Sequence, residues 1–402
     1  MTHEPSTPSP AGNPKGGSIA AHPALALGFR PFFLLAAAYS AITIPLWYLM
    51  FTGRMTVPTP VQGVAWHGHE MIFGFTVAVI AGFLLTAVRN WTGQPLPTGR
   101  SLGALVLLWL AGRLAFLTFG GLPYGVTAVV DLAFLPAVAI AIARPIIVAR
   151  NKRNYAFIGL LMLFAGANLL FHLDPGGPGG RTALTLGLNI VLLIIVVVGG
   201  RVLPFFTQNG LPDVTVHRNQ ILDWLSLGSV ALVLVLELAT GFSAWTAGAA
   251  LLAAATNGAR MVGWASLQTL RTPILWVLHL AYVWIPIGFL AKGLAILTPY
   301  ATLSVATHIL TVGVIGTMIL GMMARVGLGH TGRPLKVAPV ITAAFLLLTL
   351  SVIFRSILPW MMSETYMMGL LVSSILWAVA FLLFLVVYLP ILTQPRPDGK
   401  PG

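Results

Sequence analysis

The chain has 402 residues, 57% of them hydrophobic and only 8% charged, with a net charge of +13, no cysteine and a mean hydropathy of +0.92. A soluble domain of this length cannot coat its exterior with so few charged side chains, so lipid is the solvent the composition demands. The absence of cysteine excludes structural disulfides, thiolate haem ligation, covalent c-type haem and cysteine-held iron–sulfur clusters, which leaves His, Met, Tyr or carboxylate for any metal.

In lipid each backbone N–H and C=O must be satisfied internally, by a helix or by a closed barrel. The apolar runs are continuous, as in 190–199 and 381–389, without the alternation of barrel strands. The expected fold is all-α, a polytopic transmembrane bundle of about 12 spans of roughly 20 residues each. From the N-terminus, residues 1–22 read as a disordered cytoplasmic tail rich in Pro, Ser and Gly, lacking the apolar core and cleavage site of a signal peptide. The spans lie near 31–51, 62–88, 102–119, 125–143, 155–172 and 182–203, then 221–240, 245–264, 274–297, 301–323, 337–357 and 365–390. They make one transmembrane domain over residues 23–392, and 393–402 form a second cytoplasmic tail. The weakest break lies between the seventh and eighth spans, marked only by Thr240, Gly241 and Phe242.

The cations are spread through short loops, which is the distribution of a topology signal and not of a nucleic-acid surface. With both termini inside, every Lys and Arg falls on the cytoplasmic side except Arg54, Arg113, Arg181, Lys292 and Arg355. That topology gives each histidine a depth. His67 and His69 lie near the outer start of span two, His172 at the outer end of span five, and His308 ~10 Å below the outer end of span ten at 1.5 Å per residue. Histidines from three separate spans thus share one level. His279 and His330 lie toward the cytoplasm, where they are candidates for a second, haem-binding site or for structural roles; His3, His22 and His217 receive no role.

Neutral imidazole binds haem iron and copper, and several helices can aim histidines at one point. On a helix His67 and His69 diverge by ~200°; on an extended backbone both face one ion, and the sequence leaves both open. Polar helix ends hydrogen-bonded to carbonyls or water are the plainer alternative. Glu70 is a candidate to carry protons or to orient a histidine ligand. Arg113, inside span three, suits either a haem propionate or an ion pair with Asp131 in span four. Gly313, Gly316 and Gly321 permit close helix packing or room for a flat macrocycle.

The sequence resembles the NnrS family over nearly its whole length. The resemblance is carried by Gly28-Phe29-Arg30-Pro31-Phe32-Phe33, by Trp66-His67-Gly68-His69-Glu70-Met71, by the run from Gly82 to Gly93, and by Asn168 to His172. It continues through Gly199-Gly200-Arg201-Val202 with Pro204 to Thr207, Trp276 to Tyr282, His308 to Gly321, Arg325, and Gly329 to Pro334. The family resemblance implies a bacterial inner-membrane protein holding haem (b-type) and copper, linked to nitric oxide metabolism and nitrosative stress. It carries over His67, His69, His172, His279, His308 and His330 as motif histidines. The span count is like that of the catalytic subunit of haem–copper oxidases, by analogy of architecture only. The chain has no adjacent His-His pair, and its tenth span lacks a His-x-His pair.

The resulting expectation is reduction of nitric oxide at an outer-leaflet centre, with His67, His69, His172 and His308 on metal, Arg113, His279 and His330 on cofactor, and Glu70 in proton transfer. Electrons come from a donor the sequence does not name, and nitric oxide arrives through the surrounding lipid. Two other readings stand beside it: a non-catalytic haem and nitric oxide sensor, and a secondary transporter, for which about twelve spans and buried charges are equally typical.

Overall fold

The computed structural model describes residues 22–400 apart from 60, 62, 118–120 and 212. Among these residues the secondary structure is helical and contains no strand. The tail expected over residues 1–22 lies, except for His22, outside the described residues.

Eleven helices are long and apolar enough to cross a membrane. They are α1 (Phe29–Phe51), α2 (Gly63–Thr92), α3 (Gly99–Phe116), α4 (Tyr124–Val148), α5 (Lys152–Leu173), α6 (Pro178–Gly210), α7 (Gln220–Thr240), α9 (Pro273–Leu297), α10 (Leu303–His330), α11 (Pro339–Met361) and α12 (Ser363–Thr393). A less apolar helix, α8 (Ala244–Met261), stands where the eighth span was expected. Its polar residues face the bundle. Arg260 donates to Asp223 at 2.7 Å, to the Val196 carbonyl at 3.0 Å and to Tyr282 at 2.9 Å, and Tyr282 donates to Asn257 at 2.8 Å. A Cβ on Gly200 would lie 1.8 Å from Arg260 Nη2, so the guanidinium occupies the space that the glycine leaves. The break before α8 is made by Gly241 at φ 65 and by the Ser243 side chain, which accepts from Thr246 N at 3.3 Å.

Two helices run furthest past their expected ends. α6 continues through Pro204 to Gly210, and α10 continues past Arg325 to His330. Neighbouring helices can shelter a proline inside a membrane helix. Arg325 stays inside because its guanidinium carbon sits 3.8 Å over the Phe206 ring, a cation–π contact that replaces water.

The first and last helices pack together, and α8 lies against both α7 and α9. Three helices widen into π-helical stretches: Glu70–Thr76 in α2, Ile309–Gly316 in α10 and Ile353–Ile357 in α11. Such stretches insert an extra residue per turn and re-aim the side chains on either side. The glycines of α10 serve close packing. A Cβ on Gly313 would meet Trp284 at 2.8 Å, one on Gly316 would meet Trp377 at 2.5 Å, and one on Gly321 would meet Leu278 at 2.8 Å. They leave no slot for a macrocycle.

Candidate metal centre and adjoining cavity

The π-helical stretch of α2 begins one residue after His69, and it divides the motif histidines between two places. His67 and His69 both lie on helix, so their rings point to different neighbours.

On one side α1 to α5 bury a polar cluster. Arg113 of α3 lies between two carboxylates: its Nη1 donates to both Glu70 oxygens at 2.8 Å, and its Nη2 donates to Asp131 Oδ1. Glu70 also accepts from the Tyr39 hydroxyl. His69 meets Glu70 Oε1 at 2.8 Å through Nδ1 and Asn168 Oδ1 at 3.0 Å through Nε2. Asn168 donates to Asp131 Oδ2 at 2.7 Å. His172 Nε2 lies 3.0 Å from the same oxygen, and its Nδ1 lies 3.0 Å from the Tyr124 hydroxyl. All of these side chains except the two tyrosines are buried. Small residues make the approach feasible. A Cβ on Gly74 would stand 2.8 Å from Arg113 Nη1, and one on Gly112 would stand 3.2 Å from Asp131 Oδ1.

One ligand atom each from His69, Asp131 and His172 lie within 4.8 Å of one another. Asp131 Oδ2 is 3.3 Å from His69 Nε2 and 3.0 Å from His172 Nε2. Donors ~2.1 Å from a tetrahedral ion stand ~3.4 Å apart, so the spacing suits a metal after a small adjustment. The donor set of two imidazoles and a carboxylate suits a first-row transition metal. The orientation suits it too. With a metal on Nε2, His69 keeps an Nδ1–H for Glu70, and His172 keeps one for Tyr124. Two carboxylates against one guanidinium leave the cluster one negative charge in excess, which a cation among the imidazoles offsets.

On the other side of α2, His67 and His308 line a cavity of about 240 Å³ whose walls include neither His69 nor His172. His67 stacks on Trp47 with centroids 4.2 Å apart, and its Nδ1 is buried without a hydrogen-bond partner. His308 Nδ1 donates to the Ser304 carbonyl at 2.7 Å, which leaves Nε2 as an acceptor, and Arg355 donates to it at 2.9 Å. Glu237 and Lys292, paired at 2.7 Å, also reach this cavity.

The four histidines expected at one level therefore form two pairs and not a single centre. Arg113, considered for a propionate, is engaged by Glu70 and Asp131, as the ion-pair reading had it. His279 and His330 have separate surroundings. His279 is bonded to the hydroxyls of Thr207 at 2.8 Å and Ser266 at 2.9 Å, whereas the His330 ring lies 5.7 Å from that of Phe29. Sequence reasoning missed Asn168 and Tyr124 as partners of the histidines, and Arg355 beside His308. Asn168 stands in the same motif as His172, which was the available signal. Tyr124 and Arg355 gave none, because their partners are remote in sequence.

The fold defines a multi-pass helical membrane protein, and the cluster gives it a His–Asp–His group that can hold a metal. The family model described as NnrS protein matches residues 23–396, and the chain belongs to the NnrS family. Membership fits a membrane protein of the nitric oxide response, in a family associated with metal and haem binding. No curated protein matches the chain.

Proposed function

We propose that this protein reduces nitric oxide in the membrane, with a copper ion held by His69, Asp131 and His172 and a b-type haem in the cavity between His67 and His308. The observation that carries the reading is the buried His69–Asp131–His172 group with its oriented partners. The cavity supports the haem by its apolar walls and by the orphaned His67 Nδ1, beside a His308 whose Nε2 accepts from Arg355. Bound there, the metals supply sites for a small neutral ligand and take part in electron transfer.

The protein's own residues can only relay the protons, which come from solvent. Converting two NO to N₂O and water consumes two protons and two electrons, and the electrons come from an external donor. With the metal on both Nε2 atoms, two short polar chains lead away from the site, one from His172 to Tyr124 and one from His69 through Glu70 to Tyr39. Within the chain Glu70 is held by Arg113, His69 and Tyr39 together, so its better-supported role is to fix the His69 ring. Nitric oxide is small and apolar and reaches the site through lipid, so no aqueous cleft is required.

The test is metal analysis, absorption spectra and anaerobic N₂O production on the detergent-purified protein. Stoichiometric copper that falls several-fold in His69→Ala and His172→Ala, but not in His279→Ala, is expected. A Soret band that depends on His67 or His308 supports the haem, and steady N₂O release supports turnover. A colourless, metal-free protein would refute the whole reading.

A further inference from the structure

The cavity beside His308 contains a charge that the protein itself leaves unanswered. Arg355 of α11 is only 7% exposed. Its Nη2 donates to His308 at 2.9 Å, and its guanidinium carbon lies 5.5 Å from the Tyr366 ring centroid. Among the described residues no carboxylate pairs with it. Glu70 and Asp131 are taken by Arg113, Asp223 by Arg218 and Arg260, Glu237 by Lys292, and Asp398 by Arg396, while Asp174, Asp213 and the exposed Glu364 form no salt bridge with it. The second cation on the cavity wall, Lys292, is already neutralised. With His67 and His308 neutral, the cavity carries one net positive charge.

A buried cation without a counter-charge is costly and marks a binding site when it faces a space that a ligand can fill. The remaining walls are largely apolar, with Ile44, Ile72, Phe75, Leu188, Ile315 and Trp377 among them. A guanidinium offers paired donors that match a carboxylate.

We propose that Arg355 is the receptor for the anionic head group of an amphiphile whose apolar body fills this cavity. The shared chemistry is a carboxylate on a large hydrophobic frame. It has two sources, the propionates of a haem and a fatty acid of the membrane. The inference rests on the cavity reading above for its location, and on a guanidinium whose partners, His308 and Tyr366, bring no counter-charge for its chemistry.

The test measures equilibrium binding of haem b, of oleate and of oleyl alcohol to the purified full-length protein and to Arg355→Gln and Arg355→Lys. At least one carboxylated probe is expected to bind, and to lose about ten- to a hundredfold in affinity in Arg355→Gln, the worth of a charge-assisted hydrogen bond. Arg355→Lys, which keeps the charge but not the paired donors, should lose less affinity than Arg355→Gln, and oleyl alcohol should bind the unaltered protein weakly. Loss confined to haem identifies propionates as the source; loss confined to oleate identifies a lipid. Haem binding that is unchanged in Arg355→Gln overturns the anion role for haem while leaving the haem reading intact. Oleate binding that needs Arg355, in a protein that takes no haem, does the reverse. The inference fails if neither carboxylated probe responds to Arg355→Gln, or if the alcohol binds as well as the acid. That last comparison uses the unaltered chain and holds even if Arg355→Gln does not fold.

Discussion

Arg113 is the residue on which the polar cluster depends, because its one guanidinium answers both Glu70 and Asp131. Replacing it by Met leaves two buried carboxylates facing each other without a cation. Breaking a buried ion pair by removing one partner costs about 3–5 kcal/mol, and here two partners are stranded. Arg113→Met should therefore melt far below the parent in detergent. The triple variant Glu70→Gln, Arg113→Met, Asp131→Asn should recover part of that loss, since no uncompensated charge remains. Equal melting of Arg113→Met and the parent would show that the cluster is solvated and not a buried ionic core. Gly74 belongs to the same argument: a methyl group there collides with Arg113 Nη1 at 2.8 Å.

At the scale of the helix, the π-helical stretch of α2 lies directly beside the residues of the proposed centre. Deleting one residue from it, Ile72 for example, restores α-helical pitch and turns the N-terminal part of α2 by ~100° relative to its C-terminal part. His69 and Glu70 then leave the cluster, so bound metal should fall to background while helical content by circular dichroism holds. Metal retained in the deletion would mean that the stretch does not aim the histidine. The same stretch marks the limit of what the sequence made legible. Depth in the bilayer comes from counting 1.5 Å per residue, and that count puts His67, His69, His172 and His308 near the ends of their spans. Direction around the helix axis depends on the local turn and on which helices are neighbours. His67 thus went to the cavity and His69 to the cluster. Tyr39, Tyr124 and Arg355 gained partners 31, 48 and 47 residues away, which no local pattern announces. Arg113 with Asp131 was readable as one of two options because their spans are consecutive and the pair sits at similar depth.

At the scale of the whole molecule, the open question is how many times the chain crosses the membrane, and α8 decides it. Composition argues against α8 as a span, since it is the one helix from α1 to α12 that is not apolar enough to cross on that criterion. Geometry argues for it. Lys292 near the end of α9 pairs with Glu237 near the end of α7 at 2.7 Å, so both helices finish at the same level. Arg260 near the end of α8 pairs with Asp223 near the start of α7 at 2.7 Å, so α8 runs back across the full depth between them. The polar side chains that make α8 less apolar are those bonded inside the bundle, where lipid does not meet them. The absence of native cysteine permits a direct test with Lys152→Cys, at the start of α5, and Tyr300→Cys, between α9 and α10. If α8 crosses, an impermeant maleimide applied to intact cells labels Tyr300→Cys, and Lys152→Cys reacts only after the membrane is opened. If α8 does not cross, α9 starts from the opposite face and both positions fall on one side. Labelling of Lys152→Cys alone in intact cells would keep the crossing but invert the orientation that the distribution of Lys and Arg implies.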